Sequence, residues 1–311
     1  FLDDKGYRNI VYLYSTSDFP TTELVKERIK GYYDIPAENL KWLADENDIE
    51  GSAIFATGWE TAYPVYNADK MRKTFYFVQD FEPLFYPMGS EYVLAENTYK
   101  FGFTGITAGK WLTEKLENDY GMHCQYFDFG AEAANYRLSN LEKRNEIFFY
   151  ARPITTRRGF ELGIMALHKF HQKHPDYVIN LAGWDVSEYN IPFPYVNHKA
   201  LKIEQLSDLY NKCAAALVIS LTNMSLLPLE LLATGTIPVV NDGQNNRLVS
   251  DNPHIKYAVA SPDALADAIH EVVTHPEPVK YAEAAAASVR TNGWEKSGEK
   301  FVSIVEAELH G

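Results

Sequence analysis

Two cations six residues apart, Arg152 and Arg158, follow the apolar run Ile147-Phe148-Phe149-Tyr150-Ala151, and a lone carboxylate, Glu230, lies in the later helical pattern PLELLATG. A diphosphate departing from a sugar needs fixed cations and backbone amides around its oxygens, and its ribose needs a hydrogen-bond acceptor. These residue types supply those functions. Arginine suits the first because its planar guanidinium grips phosphate oxygens in pairs and stays charged at any working pH.

The elements around these residues must place them. The run before Arg152 reads as a buried strand that delivers the arginine to its carboxyl end, and Arg158-Gly159 opens a helix whose Phe160, Ile164 and Leu167 face a sheet. A second strand, AALVIS (215–220), ends at Ser220 and leads through the small and polar residues Thr222, Asn223 and Ser225 into a helix that starts near Leu227-Pro228 and stops at Gly235. Backbone N–H groups around Ser225, Leu226 and Leu227 are expected to point at a bound anion, with Glu230 one turn in to accept ribose hydroxyls. His168, His171 and His174 suggest a metal, but their i, i+3, i+6 spacing turns them away from a common face. No metal is therefore expected, since Arg152 and Arg158 can neutralise the leaving charge.

The order of elements is that of a parallel sheet with crossover helices, so the fold class is α/β. Strands are expected at 9–14, 52–58, 74–80, 102–107, 146–151, 177–183, 215–220 and 237–241. Between them lie helical stretches such as TELVKERIKGYY and AGKWLTEKLENDYG, the second with Thr107 as its cap and Gly121 as its stop. Two Rossmann-like domains facing across a cleft follow, at 1–141 and 142–292, with a last helix at 293–311 that carries Trp294, Phe301, Ile304 and Val305 at helical spacing and returns to the first domain. The join falls in the polar segment 136–146, whose charge and few apolar residues imply that it is not core. The opening Phe1 to Tyr14 reads as a helix end running into a strand, so the first domain is expected to be incomplete at its start.

With 311 residues and 46% hydrophobic content, each domain can bury its own core. A net charge of −13 argues against a nucleic-acid partner, which needs clustered Lys and Arg. Two cysteines, Cys124 and Cys213, give neither a disulfide framework nor zinc spacing, which fits a reducing, cytoplasmic setting. No run of about 18 apolar residues appears, although attachment to the inner face of a membrane stays open.

At these residues the chain resembles retaining glycosyltransferases of the GT-B fold, family-four-like, over nearly its whole length. Arg152 stands at the Arg of the family's GR(x5)KG segment, Arg158 at its Lys and Gly159 at its Gly. Glu230 matches the second Glu of an E(x7)E signature, whose first Glu falls at Thr222, a departure that suggests a donor with different needs, such as a 6-deoxy sugar. The strings ATGWETAYPVYN, FYFVQDFEPLFYPMGSEY and TGITAGKWL resemble, more narrowly, bacterial rhamnosyltransferases that use dTDP-L-rhamnose. By the same resemblance Asp80 stands where the family carries a His-Asp pair facing the donor sugar. Glu82 is a second candidate, and Gly58-Trp59 line the sugar side. Gly183 and the stretch from His198 through Leu201 to Ile203 occupy the nucleobase side.

The resemblance implies transfer of a sugar, L-rhamnose, with retained configuration onto a surface-polysaccharide or other glycan acceptor, free or lipid-linked. The donor needs no further cofactor. The rivals are a transferase using a UDP- or GDP-sugar, a nucleotide-sugar epimerase or hydrolase of the same architecture, and a sugar-binding protein with a hinge. Phe81, Phe85 and Tyr86 could stack on acceptor sugars, although core packing is the default for such rings.

Overall fold

In a computed structural model of the chain the described residues are 1–14, 25, 27, 29, 37–68, 72–130, 135–289 and 293–310. The expected helix TELVKERIKGYY falls almost wholly outside them. Internal contacts divide the chain into one unit of Phe1–Thr107, Thr113–Phe127 and Gly298–Gly311 and a second of Ala108–Leu112 and Asp128–Ser297.

The second unit is built on strands whose apolar residues run almost without interruption, as strands covered on both faces require. Its six strands are β7 (Glu146–Tyr150), β8 (Val178–Ala182), β9 (Val196–Lys199), β10 (Cys213–Val218), β11 (Ile237–Asn241) and β12 (Lys256–Ala258). They lie in the order β12-β11-β10-β7-β8-β9, every pair parallel. Phe148, Phe149, Leu217 and Val239 are fully buried at its centre, beneath helices that include Phe160–Lys173 and Pro262–Val273. The edge strands β9 and β12 are short and only partly buried, and for that reason the apolar pattern does not announce them.

The polar segment 136–146 departs from expectation. Tyr136 and Arg144 are buried, in the second unit, whose start at Asp128 precedes the boundary read from sequence. Arg144 can be buried because carbonyls surround its guanidinium: Nη1 donates to Cys213 O (3.1 Å) and Nη2 to Asn140 O (3.0 Å) and Thr234 O (2.9 Å). Burial lowers its pKa to about 10, which leaves it charged at neutral pH.

The first unit holds β1 (Val11–Leu13) paired in parallel with β2 (Leu40–Trp42), and a separate four-stranded sheet. That sheet has the order β3 (Ala53–Ala56), β4 (Lys73–Val78), β5 (Thr104–Ala108) and β6 (Cys124–Phe127). Its core includes Phe75, Tyr76, Tyr99, Ile106 and Leu116. Thr107 is not a helix cap: it belongs to β5, and its hydroxyl meets that of Thr113 at 2.7 Å while the helix begins at Lys110. The last helix, Trp294–His310, enters the first unit at Gly298, where Phe301 packs on Phe55 and Phe77, each at 5.8 Å between ring centres. Among the described residues no helix is long and apolar enough to cross a membrane.

Candidate functional site

Strand order in the second unit decides where a ligand can sit. The chain starts in the middle with β7, steps outward through β8 and β9, then crosses to β10, β11 and β12 on the other side. The two loops leaving β7 and β10 therefore lead to opposite halves of the sheet, and the carboxyl ends of such a strand pair are the usual ligand position in sheets of this kind.

Arg152 and Arg158 both lie on the loop leaving β7. Two successive turns, Thr155 N to Arg152 O (2.9 Å) and Arg158 N to Thr155 O (2.8 Å), fold it tightly. Arg152 leans to the β8 side, donating from Nη1 to the Tyr150 hydroxyl (3.0 Å), while its buried Nε–H has no hydrogen-bond partner among the described residues. Buried donors normally have an acceptor, so this one calls for an explanation. Arg158 leans to the β10 side and donates from Nη1 to Ser220 Oγ at 2.8 Å. Gly159 makes this approach possible, with φ of 57° and a space in which an added Cβ would lie 2.7 Å from Ile219 Cγ2. Leu221 N donates to Arg157 O (3.0 Å), so the two loops are also joined by backbone.

The loop after β10 is held by asparagines that the sequence reading did not single out. Ser220 N donates to Asn241 Oδ1 (2.8 Å), and Ser220 O accepts from Asn241 Nδ2 (2.9 Å), Asn245 Nδ2 (2.9 Å) and Asn246 Nδ2 (3.2 Å). The run NDGQNNR, dense in side-chain donors, is the signal that could have pointed to them. Thr222 and Asn223 are buried, and Asn223 Nδ2 donates to Ala108 O (2.8 Å), a residue that belongs to the second unit although β5 ends on it. Ser225 and Leu226 remain partly exposed ahead of the short helix Leu227–Ala233, and Leu227 is buried.

Glu230, on that helix, is pushed up to about 7 by burial, and hydrogen bonding from Tyr136 opposes the shift. Tyr136 comes from the polar segment expected to lie outside the core. On the β8 side, Gly183 has φ of 117°, and an added Cβ would sit 2.8 Å from Tyr150 Cε2, so the wall beside Arg152 stays low. Leu201 packs against the core of the unit, and His198 Nε2 meets Asn180 Oδ1 at 2.8 Å.

In the first unit the sequence-selected residues gather at the carboxyl ends of β3 and β4. Asp80 is buried, its Oδ1 accepting from Phe81 N (2.8 Å). Glu82 is also buried and accepts from Trp59 N (2.6 Å) at the start of the helix Trp59–Asn67, while Trp59 Nε1 donates to the Tyr86 hydroxyl (3.0 Å). Burial pushes Glu82 up to about 7, Asp80 and Glu60 adding to the rise and the Trp59 amide opposing it. Of the three aromatics, Phe81 is core, stacked on Tyr99 at 5.5 Å, whereas Phe85 and Tyr86 stay partly exposed.

Residues 43–108 match the sequence model of the WsaF N-terminal domain and residues 145–270 that of the WsaF C-terminal domain, together more than half of the chain. The chain is similar to the O-antigen biosynthesis protein RfbC of Myxococcus xanthus, with 32% identity over 248 residues, 77% of this chain. It spans only a fifth of that relative, 20% of its length. Among solved structures, Anabaena HepE in complex with UDP and glucose superposes with a TM-score of 0.71 at 13% identity, over 97% of this chain and 100% of that one. The pneumococcal O-GlcNAc transferase GtfA, in complex with UDP and GlcNAc, gives a TM-score of 0.59 at 13% identity, over 92% of this chain and 60% of that one. Likeness at such identities speaks for the fold. Both WsaF domains in order put this chain in the WsaF family, and its two parallel-sheet units, an architecture shared with HepE and GtfA, have the GT-B glycosyltransferase fold.

Proposed function

We propose that the chain moves a sugar from a nucleoside-diphosphate donor onto a glycan or lipid-linked glycan acceptor during assembly of a bacterial surface polysaccharide. The observation that carries this reading is the Arg158–Ser220 hydrogen bond, which ties the loops of β7 and β10 together where the strand order reverses. The O-antigen role named for the RfbC relative and the UDP bound in the solved neighbours support the choice of acceptor and donor class. The donor is dTDP-L-rhamnose, on the strength of the first-unit strings and of Thr222 in place of a carboxylate.

In this reading Arg152, Arg158 and the amides of Ser225, Leu226 and Leu227 hold the diphosphate, Glu230 takes ribose hydroxyls, and Gly183 and Leu201 flank the base. The acceptor hydroxyl oxygen attacks the anomeric carbon on the face the diphosphate leaves. The carbon–oxygen bond breaks with its electron pair going to the diphosphate, whose oxygen takes the acceptor proton, so configuration is retained. Asp80, in the first unit, orients the acceptor or faces the developing positive charge. No metal is required, because two guanidinium groups meet the leaving charge.

Replacing Arg158 by Ala should lower kcat by about 10² to 10³, the usual effect of removing one fixed donor to a developing anion. Transfer to an acceptor, scored against mere conversion of the donor, is the readout. Full activity in Arg158→Ala would sink the phosphate assignment. Transfer from UDP-sugars alone would sink the rhamnose assignment and leave the transferase standing.

A further inference from the structure

The helices Phe160–Lys173 and Pro262–Val273 lie side by side in the second unit, joined by side-chain rungs that ascend together in sequence. Lys169 Nζ meets Asp263 Oδ1 at 2.7 Å, and Lys173 Nζ meets Asp267 Oδ1 at 2.7 Å. Both ion pairs are well exposed, and such pairs hold weakly. The next rung differs in kind. His174, which ends the first helix, brings its Nε2 to within 2.8 Å of Nδ1 of His270 on the second. Both residues are partly buried, and the His174 ring stacks on Phe170 at 4.8 Å and meets the edge of Tyr177 at 5.7 Å, which leaves it little room to turn away.

A hydrogen bond between two imidazole nitrogens needs a proton on one and a lone pair on the other. The contact is therefore made when both rings are neutral or when one is charged. A second proton leaves two donors and two positive charges facing each other. The neighbouring charges do little to offset this. Lys173 adds a further cation beside His174, Asp267 is taken by Lys173, and Glu271, which follows His270, is taken by Lys256. Asp176 favours a charged His174, whereas the Tyr177 phenol, pushed up by burial and by Asp176, is neutral. In balance, burial first, then His270 and Lys173, hold the His174 imidazole below its ordinary 6.5.

The helix that ends at His174 begins at Phe160, directly after Arg158 and Gly159, and Arg158 donates to Ser220 Oγ (2.8 Å). Gly163 lets that helix lie directly on the sheet, where an added Cβ would collide with the Phe149 ring. Packing so close passes a displacement of one end along the helix. We propose that His174 and His270 form a proton-operated latch: with at most one proton between the facing nitrogens the helix is held and Arg158 stays at Ser220, and a second proton frees the helix end and weakens the grip on a diphosphate. The last step rests on the diphosphate role of Arg158 given above.

Titration of the imidazoles of the 311-residue chain by NMR tests the latch by itself. Two rings that share one proton should titrate in two steps at least about one pH unit apart, whereas independent rings titrate together near about 6.5. The double variant His174→Gln, His270→Gln keeps hydrogen-bonding side chains and removes both charges. Because His174 is held below its unfolded value, its contribution to stability is complete above about 6.5 and is lost as pH falls below that. The melting temperature of the wild type relative to the double variant should accordingly drop between about pH 7 and pH 5. Over the same interval the affinity for dTDP, measured by calorimetry, should fall about fivefold more in the wild type than in the variant, a comparison that cancels the share due to Glu230. A single step near 6.5, a melting difference that does not move with pH, or equal loss of dTDP affinity in both proteins would each overturn the proposal. If dTDP binds neither protein at pH 7.5, the diphosphate reading falls instead, and the imidazole titration and melting difference still decide the latch.

Discussion

Glu82 in the first unit, buried, and Glu230 in the second, partly buried, are both carboxyl groups pushed up to about 7 by loss of solvent, yet they are held differently. Glu82 accepts the amide of Trp59 at 2.6 Å, at the N-terminal end of a helix, where a carboxylate also meets the positive end of the helix dipole. Glu230 has a phenol, Tyr136, as its partner; Glu82 has one too, Tyr76, but in addition to the amide. A backbone amide at a helix start cannot leave without fraying the helix, whereas a phenol can be replaced by a sugar hydroxyl. Equal shifts thus go with unequal anchoring: Glu82 is tied to the backbone of its unit, and Glu230 to a side chain alone among the described residues.

That contrast can be broken or sharpened by substitution. The largest expected effect on stability is in Glu82→Ala, which leaves the Trp59 amide without its acceptor and should cost about 2 kcal/mol, read as a lowered denaturation midpoint. Donor binding by the folded protein should be unchanged. Next comes Glu230→Gln, expected to raise the donor KM about tenfold, near 1.4 kcal/mol, with little loss of stability. The contrast collapses if Glu82→Ala weakens donor binding more than Glu230→Gln does. The titration of Glu230 adds a pH test. Its folded-state value stands above the ordinary 4.5, so its contribution to folding is complete below about 4.5 and is lost as pH rises through about 7. The melting temperature of the wild type relative to Glu230→Gln should accordingly fall between pH 5 and 8. Donor affinity should rise over the same interval as the carboxylate ionises, and the Gln protein should lack that rise. The smallest change is Tyr136→Phe, which removes the bond favouring the charged form and should move the inflection of that affinity profile upward, an effect of about 0.5 to 1 kcal/mol.

The course of the loops leaving β7 and β10 is legible in the sequence because its determinants are local. An apolar strand, a short loop and a glycine fix where Arg152 and Arg158 leave the sheet, and Ser220 ends the neighbouring strand in the same way. What was illegible depends on distant partners. Nothing near Arg144 in sequence shows that carbonyls of Cys213 and Thr234 will surround it, so the charge reads as solvent. Tyr136 reads as linker for the same reason, and its approach to Glu230 appears only after folding. Thr107 reads as a cap because threonine before a helical pattern is a common start, but β5 runs through it. The short edges β9 and β12 lack the buried, apolar run by which central strands are recognised.

Ser220 offers one carbonyl oxygen to three asparagine amides, from Asn241, Asn245 and Asn246. A carbonyl so fully engaged leaves the loop no competing arrangement of comparable energy. The entropy of fixing that hairpin of chain is therefore lost once, at folding, and not again at each turnover.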